Sequence, residues 1–405
     1  MNGDRGRKKQ ANCSSIVKNV KPLIIFLIVY LYTRSLSGCA SQEKLIYKQK
    51  QPQPQPVEQP EAIVEPETEY PLEYEIAPWY GFRSAACSIT FDDGTLDQFL
   101  VGFPELETRH IRATFFIITA PRDVGVWNDS GTKRILFSWH QARILALAGH
   151  EIASHSQTHV DLTQEGALVE DELRDSAAKL KAEIPQAPGL VFGWPYWRST
   201  ESSRTIAKKY FIAARSGSGL VKQYLEKNGG IPKKSPDDFF QINSLGFHTS
   251  DTPASWQLVG EKALSQGGWI IVSFHGIDNG RLPKDALGWQ AMPVKTFSSI
   301  LDYIQHKDFW VAPFGKVYRY IRERDQAKLS ARTYKKEKLR VAITTELDTS
   351  VYDQPLTVKI RLPSKWERVT VSQGDRILEH VSSDDGYIVI DAIPGQSDII
   401  IEKRS

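Results

Sequence analysis

Residues 86–94 read ACSITFDDG. A run of small and apolar side chains stops abruptly at two adjacent carboxylates, Asp92 and Asp93, and a glycine follows. The pattern predicts a short buried strand ending at Phe91. Such a strand delivers both acids to its C-terminal edge, where α/β folds place their active sites. Taken alone, Asp-Asp-Gly is equally a good turn tripeptide.

A second stretch bears on the choice. Residues 149–159 read GHEIASHSQTH, with His155 and His159 four apart. In a helix or a tight turn both imidazoles lie on one face and can grip one metal ion. A carboxylate at a strand end together with a His-x3-His pair supplies the three protein ligands of a catalytic zinc, with a fourth position left for water.

These residues resemble a known family, the polysaccharide deacetylases (NodB homology, carbohydrate esterase family 4). TFDDG at 90–94 is similar to the family's first motif and HSQTH at 155–159 to its second. ATFFI at 113–117 resembles its second barrel strand. The resemblance extends roughly over residues 80–325. It implies a distorted (β/α) barrel and removal of N- or O-linked acetyl groups from a polysaccharide or oligosaccharide. It also implies a divalent metal, most simply zinc by ligand type, held by Asp93, His155 and His159, with Asp92 as the base. WIIVSFHGID at 269–278 resembles the last motif and makes His275 the acid. FGWPYW at 192–197 matches the groove-wall motif at Pro195 and Tyr196, so the Tyr196 backbone N–H would help hold the oxyanion.

Three departures mark a divergent subgroup. Gly193 stands where the family carries the arginine that braces the base, and Arg198 is the nearest substitute. The Asp-Trp motif is not found in 241–256, where Asp251 and Trp256 are the closest residues, at the wrong spacing. Gly276 follows His275 where an aspartate is usual, so Asp278 or another loop would have to orient the ring. These gaps imply a different groove or reduced activity. They motivate a second reading, a non-catalytic glycan-binding envelope lipoprotein on the same fold. Trp127, Trp194, Trp197 and Trp289 are candidates to stack on pyranose faces or to pack.

The remaining chain divides by composition. Of 405 residues 24% are charged, for a net charge of +3, which argues against a nucleic-acid partner. Residues 1–39 read as a signal peptide. Basic residues precede an apolar run at 23–32, which is too short to span a bilayer, and LSGC at 36–39 resembles a lipobox. Cys39 would then carry a lipid anchor, giving a membrane-attached protein facing the periplasm or the exterior. Arg34, between run and box, keeps an uncleaved anchor or ordinary secretion open. Residues 40–78 are a Pro/Gln/Glu-rich linker, extended by its prolines. Strand–helix alternation over 79–332 predicts a parallel sheet covered by helices, closed by a basic helix at 317–332. From 333 to 405 alternating apolar runs separated by Asp-Gly, Gln-Gly and Pro-Gly turns predict a small β-sandwich, either a sugar-binding accessory or a packing module. Cys87 reads as a small core residue.

Overall fold

The computed structural model describes residues 67–404 except 124, 164–166, 186–188, 222–233, 336, 365 and 383–385. The signal segment and most of the linker lie outside the described residues. Among the described residues no helix is long and apolar enough to cross a membrane.

Seven parallel strands close into a barrel. They are β1 (Ala85–Phe91), β2 (Thr114–Ile117), β3 (Glu151–Ser154) and β4 (Val191–Gly193), then β5 (Ala213–Leu220), β6 (Ile242–Gly246) and β7 (Trp269–Phe274). Closure comes from β7 on β1, in unbroken register from Trp269 opposite Ala86 to Phe274 opposite Phe91. The other edge of β1 is shared: its first residues pair with β8 (Phe309–Val311), its last two with β2. Every residue of β1 is buried, which is why its sequence is continuous rather than alternating. Cys87 is a buried free thiol within it.

Helices α1 (Phe103–Glu107), α2 (Trp139–Leu147), α3 (Ala167–Glu183) and α4 (Glu201–Ala207) follow the early strands. Then come α5 (Pro253–Gln266), α6 (Val294–His306) and α7 (Phe314–Gln326). Ser138 caps α2 in a reciprocal box with Gln141. An antiparallel hairpin, Val126–Asp129 with Thr132–Ile135, stands between β2 and α2. It has no counterpart in the sequence reading, because its strands are short and mostly polar.

Two antiparallel sheets form the C-terminal sandwich, and their extent differs from the sequence reading at both limits. The expected helix at 317–332 ends at Gln326, and Lys328–Thr333 is a strand. Ala327 is extended, and the alternation after it buries Leu329 and Ala331. At the other limit, the end of the expected linker is paired. Glu69–Tyr70 lies on Lys328–Thr333, and Tyr74–Ile76 lies on Leu356–Arg361. The sandwich is thus edged by residues that precede the barrel in sequence. Its core (Val341, Val358, Ile390, Ile401) runs without a break into Trp79, Trp269, Tyr320 and Ile321 beneath the barrel. Tyr320 donates to the Ala77 carbonyl at 2.9 Å, and Tyr80 donates to Asp391 at 2.6 Å.

Candidate active site

Strand register assembles the site. Because Phe91 and Phe274 are opposite, Asp92 and His275 emerge side by side at the top of the barrel. The Ile118 amide donates to the Asp93 carbonyl, and the His155 amide to that of Ile117. Asp93 and His155 are thereby brought to either side of the β2 end. Ser154 opposite Phe192 then sets His155 beside Gly193, and Gly193 is opposite Arg215.

Asp93 Oδ1 lies 3.7 Å from His155 Nε2 and 3.5 Å from His159 Nε2. Among the described residues, these three form the group whose donor atoms, all within 4.8 Å of one another, could hold a metal ion. The His-x3-His segment is a tight turn rather than a helix, with Ser156 and His159 both left-handed. The His159 amide donates to Ser156 Oγ at 2.8 Å, and the Thr158 amide to Glu172 on α3 at 2.8 Å. His155 Nδ1 donates to the Gly193 carbonyl at 2.8 Å, which leaves the Nε2 lone pair facing Asp93. Burial lowers His155 to about 3 and His159 to about 4, so both rings are neutral, as ligands must be. Burial, with Asp92 adding to it, raises Asp93 to about 7, and the His275 charge opposes them. Asp93 Oδ1 is buried with no hydrogen-bond partner. An orphaned carboxylate oxygen facing two imidazole lone pairs fits a cation in the middle.

Asp92 is held differently. Its Oδ1 accepts from Arg215 Nη2 at 2.8 Å and its Oδ2 from Ser273 Oγ at 2.8 Å, with His275 Nε2 3.8 Å away. Burial alone would raise its pKa. The Arg215 guanidinium and the Ser273 bond outweigh burial and leave it below the ordinary range.

Arg215 is the functional residue that the sequence reading missed. It is completely buried, projects from β5 across the barrel interior, and also donates to Ser244 and Ser273. A Cβ on Gly193 would lie 2.9 Å from Arg215 Nη2 and from the Phe116 ring. The bare position on β4 is therefore what admits the guanidinium from the paired position on β5. Arg198, the expected substitute, instead pairs with Asp161 at 2.9 Å on the surface.

The other departures also resolve. Gly276 is required by space, since a Cβ there would lie 2.5 Å from Asp97 Oδ2 and 2.7 Å from the Gly288 nitrogen. Asp278 accepts from the Gly280 amide at 2.7 Å and does not orient His275, whose Nδ1 is buried without a partner. The backbone is pinned instead. Thr95 Oγ1 and Gln98 Nε2 donate to the His275 carbonyl at 3.1 and 2.8 Å, and the Ile277 amide donates to Asp97 at 2.6 Å. Asp251 accepts from the His248 amide at 2.7 Å, and Trp256 is fully buried on α5, so neither lines the site.

The six residues to which the sequence gives metal or catalytic roles, Asp92, Asp93, His155, His159, Tyr196 and His275, line one pocket of about 360 Å³. Tyr196 is half-exposed, with φ 54°, and its ring centroid is 4.7 Å from that of His159. Trp127 packs edge-on against His159 at 4.9 Å, and Trp289 against His275 at 5.0 Å. Trp194 is wholly buried and donates to the Phe240 carbonyl, so it packs rather than stacks on a ligand.

Residues 82–214 match the polysaccharide deacetylase family model. The chain is 24% identical over 357 residues to a gellan lyase of Bacillus sp., a match covering 81% of this chain and 13% of that protein. It is 30% identical over 139 residues to a chitooligosaccharide deacetylase of Bradyrhizobium sp., covering 33% of this chain and 58% of that one. It therefore spans less than two thirds of either relative's length. A solved polysaccharide deacetylase structure from Mycobacterium smegmatis superposes at a TM-score of 0.45 with 17% identity, over 62% of this chain and 96% of that one. Over residues 82–214, where motif, strand register and family model agree, the chain is similar to the polysaccharide deacetylase family.

Proposed function

We propose that the protein is a metal-dependent hydrolase that removes acetyl groups from a polysaccharide or oligosaccharide. The observation that carries this reading is the convergence of two separate units in one pocket: the Asp93–His155–His159 triangle and the Asp92–His275 pair. The family match and the relative named as a chitooligosaccharide deacetylase support the same reaction.

Asp93, His155 and His159 would hold the metal, most simply zinc. Bound there, it supplies Lewis-acid polarisation of the acetyl carbonyl and eases ionisation of water. Asp92, kept ionised by Arg215 and Ser273, takes the proton from the attacking water. His275 hands a proton to the departing nitrogen or oxygen as the bond to the acyl carbon breaks, releasing acetate and the free amine or hydroxyl. The Tyr196 N–H helps hold the oxyanion. Trp127 and Trp289 flank the opening as apolar faces for a sugar ring.

An envelope location belongs to the same proposal. Its support is the basic N-terminal segment, the apolar run at 23–32 and the lipobox-like LSGC at 36–39. The unpartnered His275 Nδ1 favours a second reading, a glycan-binding protein on the same barrel. Acetate release from a panel of acetylated glycans, with metal content measured alongside, separates the two. Release that needs the metal supports the enzyme, and none from any glycan with metal bound supports the binder.

A further inference from the structure

Arg122 is 2% exposed, yet among the described residues it forms no ion pair with a carboxylate. Buried guanidinium groups normally have one. Its donors go to main-chain carbonyls instead: Nε to Ile118 at 3.0 Å, Nη1 to Phe137 at 2.6 Å and Gly94 at 3.3 Å, and Nη2 to Asp93 at 2.8 Å. The Phe137 ring lies 4.5 Å from the guanidinium carbon. One side chain thus ties together the ends of β1 and β2 and the segment that enters α2.

The turn it grips is a strained one. Asp93 has φ 70° and Gly94 has φ 80°, two left-handed residues in succession, and the first is not glycine. A Cβ on Gly94 would collide with Arg122 Nη2. The glycine is therefore needed twice, for its backbone conformation and for the space the guanidinium fills. Asp93 Oδ1 itself has no hydrogen-bond partner, so nothing acting on that oxygen fixes where it points. Its aim toward His155 and His159 comes from the backbone.

We propose that Arg122 is a positioning residue for the metal site: by clamping the Asp93 and Gly94 carbonyls it holds the left-handed turn that aims the Asp93 carboxylate at His155 and His159. The proposal rests on Asp93 being a metal ligand. Arg122 does not line the site pocket, so its signature is affinity for the ion.

The experiment titrates Zn²⁺ alone into the chelator-treated full chain against a competing chelator, for the parent, Asp93→Asn, Arg122→Met and Gly94→Ala. Thermal unfolding of each metal-free protein is recorded in parallel. Arg122→Met and Gly94→Ala are expected to weaken Zn²⁺ binding by about 10–100-fold, as loss of outer-shell partners does. Gly94→Ala gives the result even where Arg122→Met fails to fold, because it disturbs the same clamp while keeping the charge. Parental affinity in either folded variant, with only a lowered melting temperature, would overturn the proposal and make Arg122 a scaffold residue. Parental affinity in Asp93→Asn would instead overturn the ligand assignment beneath it.

Discussion

The two ends of one barrel are built on opposite principles. At the N-terminal end the strands meet Trp79, Trp269, Tyr320 and Ile321, and that apolar layer continues into the sandwich core. Its polar groups are paired, as with Trp79 Nε1 on the Gly267 carbonyl at 3.1 Å and Trp269 Nε1 on Ser88 at 3.0 Å. At the C-terminal end the same strands finish in charged and strained residues. Asp93, Ser156, His159, Tyr196 and Trp197 are all left-handed there, and Asp93 Oδ1, His159 Nδ1, His275 Nδ1 and Arg215 Nε lack partners. Such features cost stability and persist where the rest of the fold over-determines them. The sealed end anchors the barrel, and the open end spends part of that stability on a preorganised site.

Substitutions at each end should separate turnover from stability. The largest effect is expected from His275→Ala at the open end. Its ring makes no hydrogen bond through Nδ1, so the melting temperature should hardly move, while acetate release should fall by about 10²–10⁴-fold. A parental rate in single-turnover assays would remove His275 from the chemistry. Arg215→Met is expected to damage both properties. It strands the Asp92 carboxylate in the interior, at a cost of about 3–5 kcal/mol in denaturant unfolding, and turnover should drop as well. If stability is unchanged, the Arg215–Asp92 pair does not brace the base.

Trp79→Ala tests the sealed end alone. Emptying a wholly buried indole site should cost about 3–5 kcal/mol. Turnover per folded molecule should stay parental, because no described contact links Trp79 to the pocket lining. A fall in turnover of the folded fraction would show the two ends to be coupled.

The smallest effect is a pH dependence at the junction of α7 and the sandwich. Glu323 is fully buried, and both its oxygens accept from the Gln354 amide at 3.1 Å. Burial raises it to about 8, with Asp353 adding to burial and the Gln354 amide and Arg319 opposing it. An acid whose pKa is raised on folding contributes most when protonated. Its contribution should therefore fade as pH climbs from the ordinary glutamate range through about 8. Glu323→Gln should flatten that part of the melting-temperature profile, and an unchanged slope would place the titration elsewhere.

What the sequence determined by itself is local. TFDDG, HSQTH and the buried strand ending in His275 were legible because each couples an apolar run to a polar stop within a few residues. Alternating apolar runs likewise located the sandwich strands after residue 338. What only the tertiary structure decided depends on pairing between distant segments. The brace for Asp92 comes from Arg215 because β4 and β5 align Gly193 with it, and no spacing in the chain announces that alignment. Residues 69–76 look like linker because short edge strands have little periodicity. They become strands only beside partners more than 250 residues away. Register is set by which face of each strand the core must bury, and that choice is made by the folded molecule as a whole.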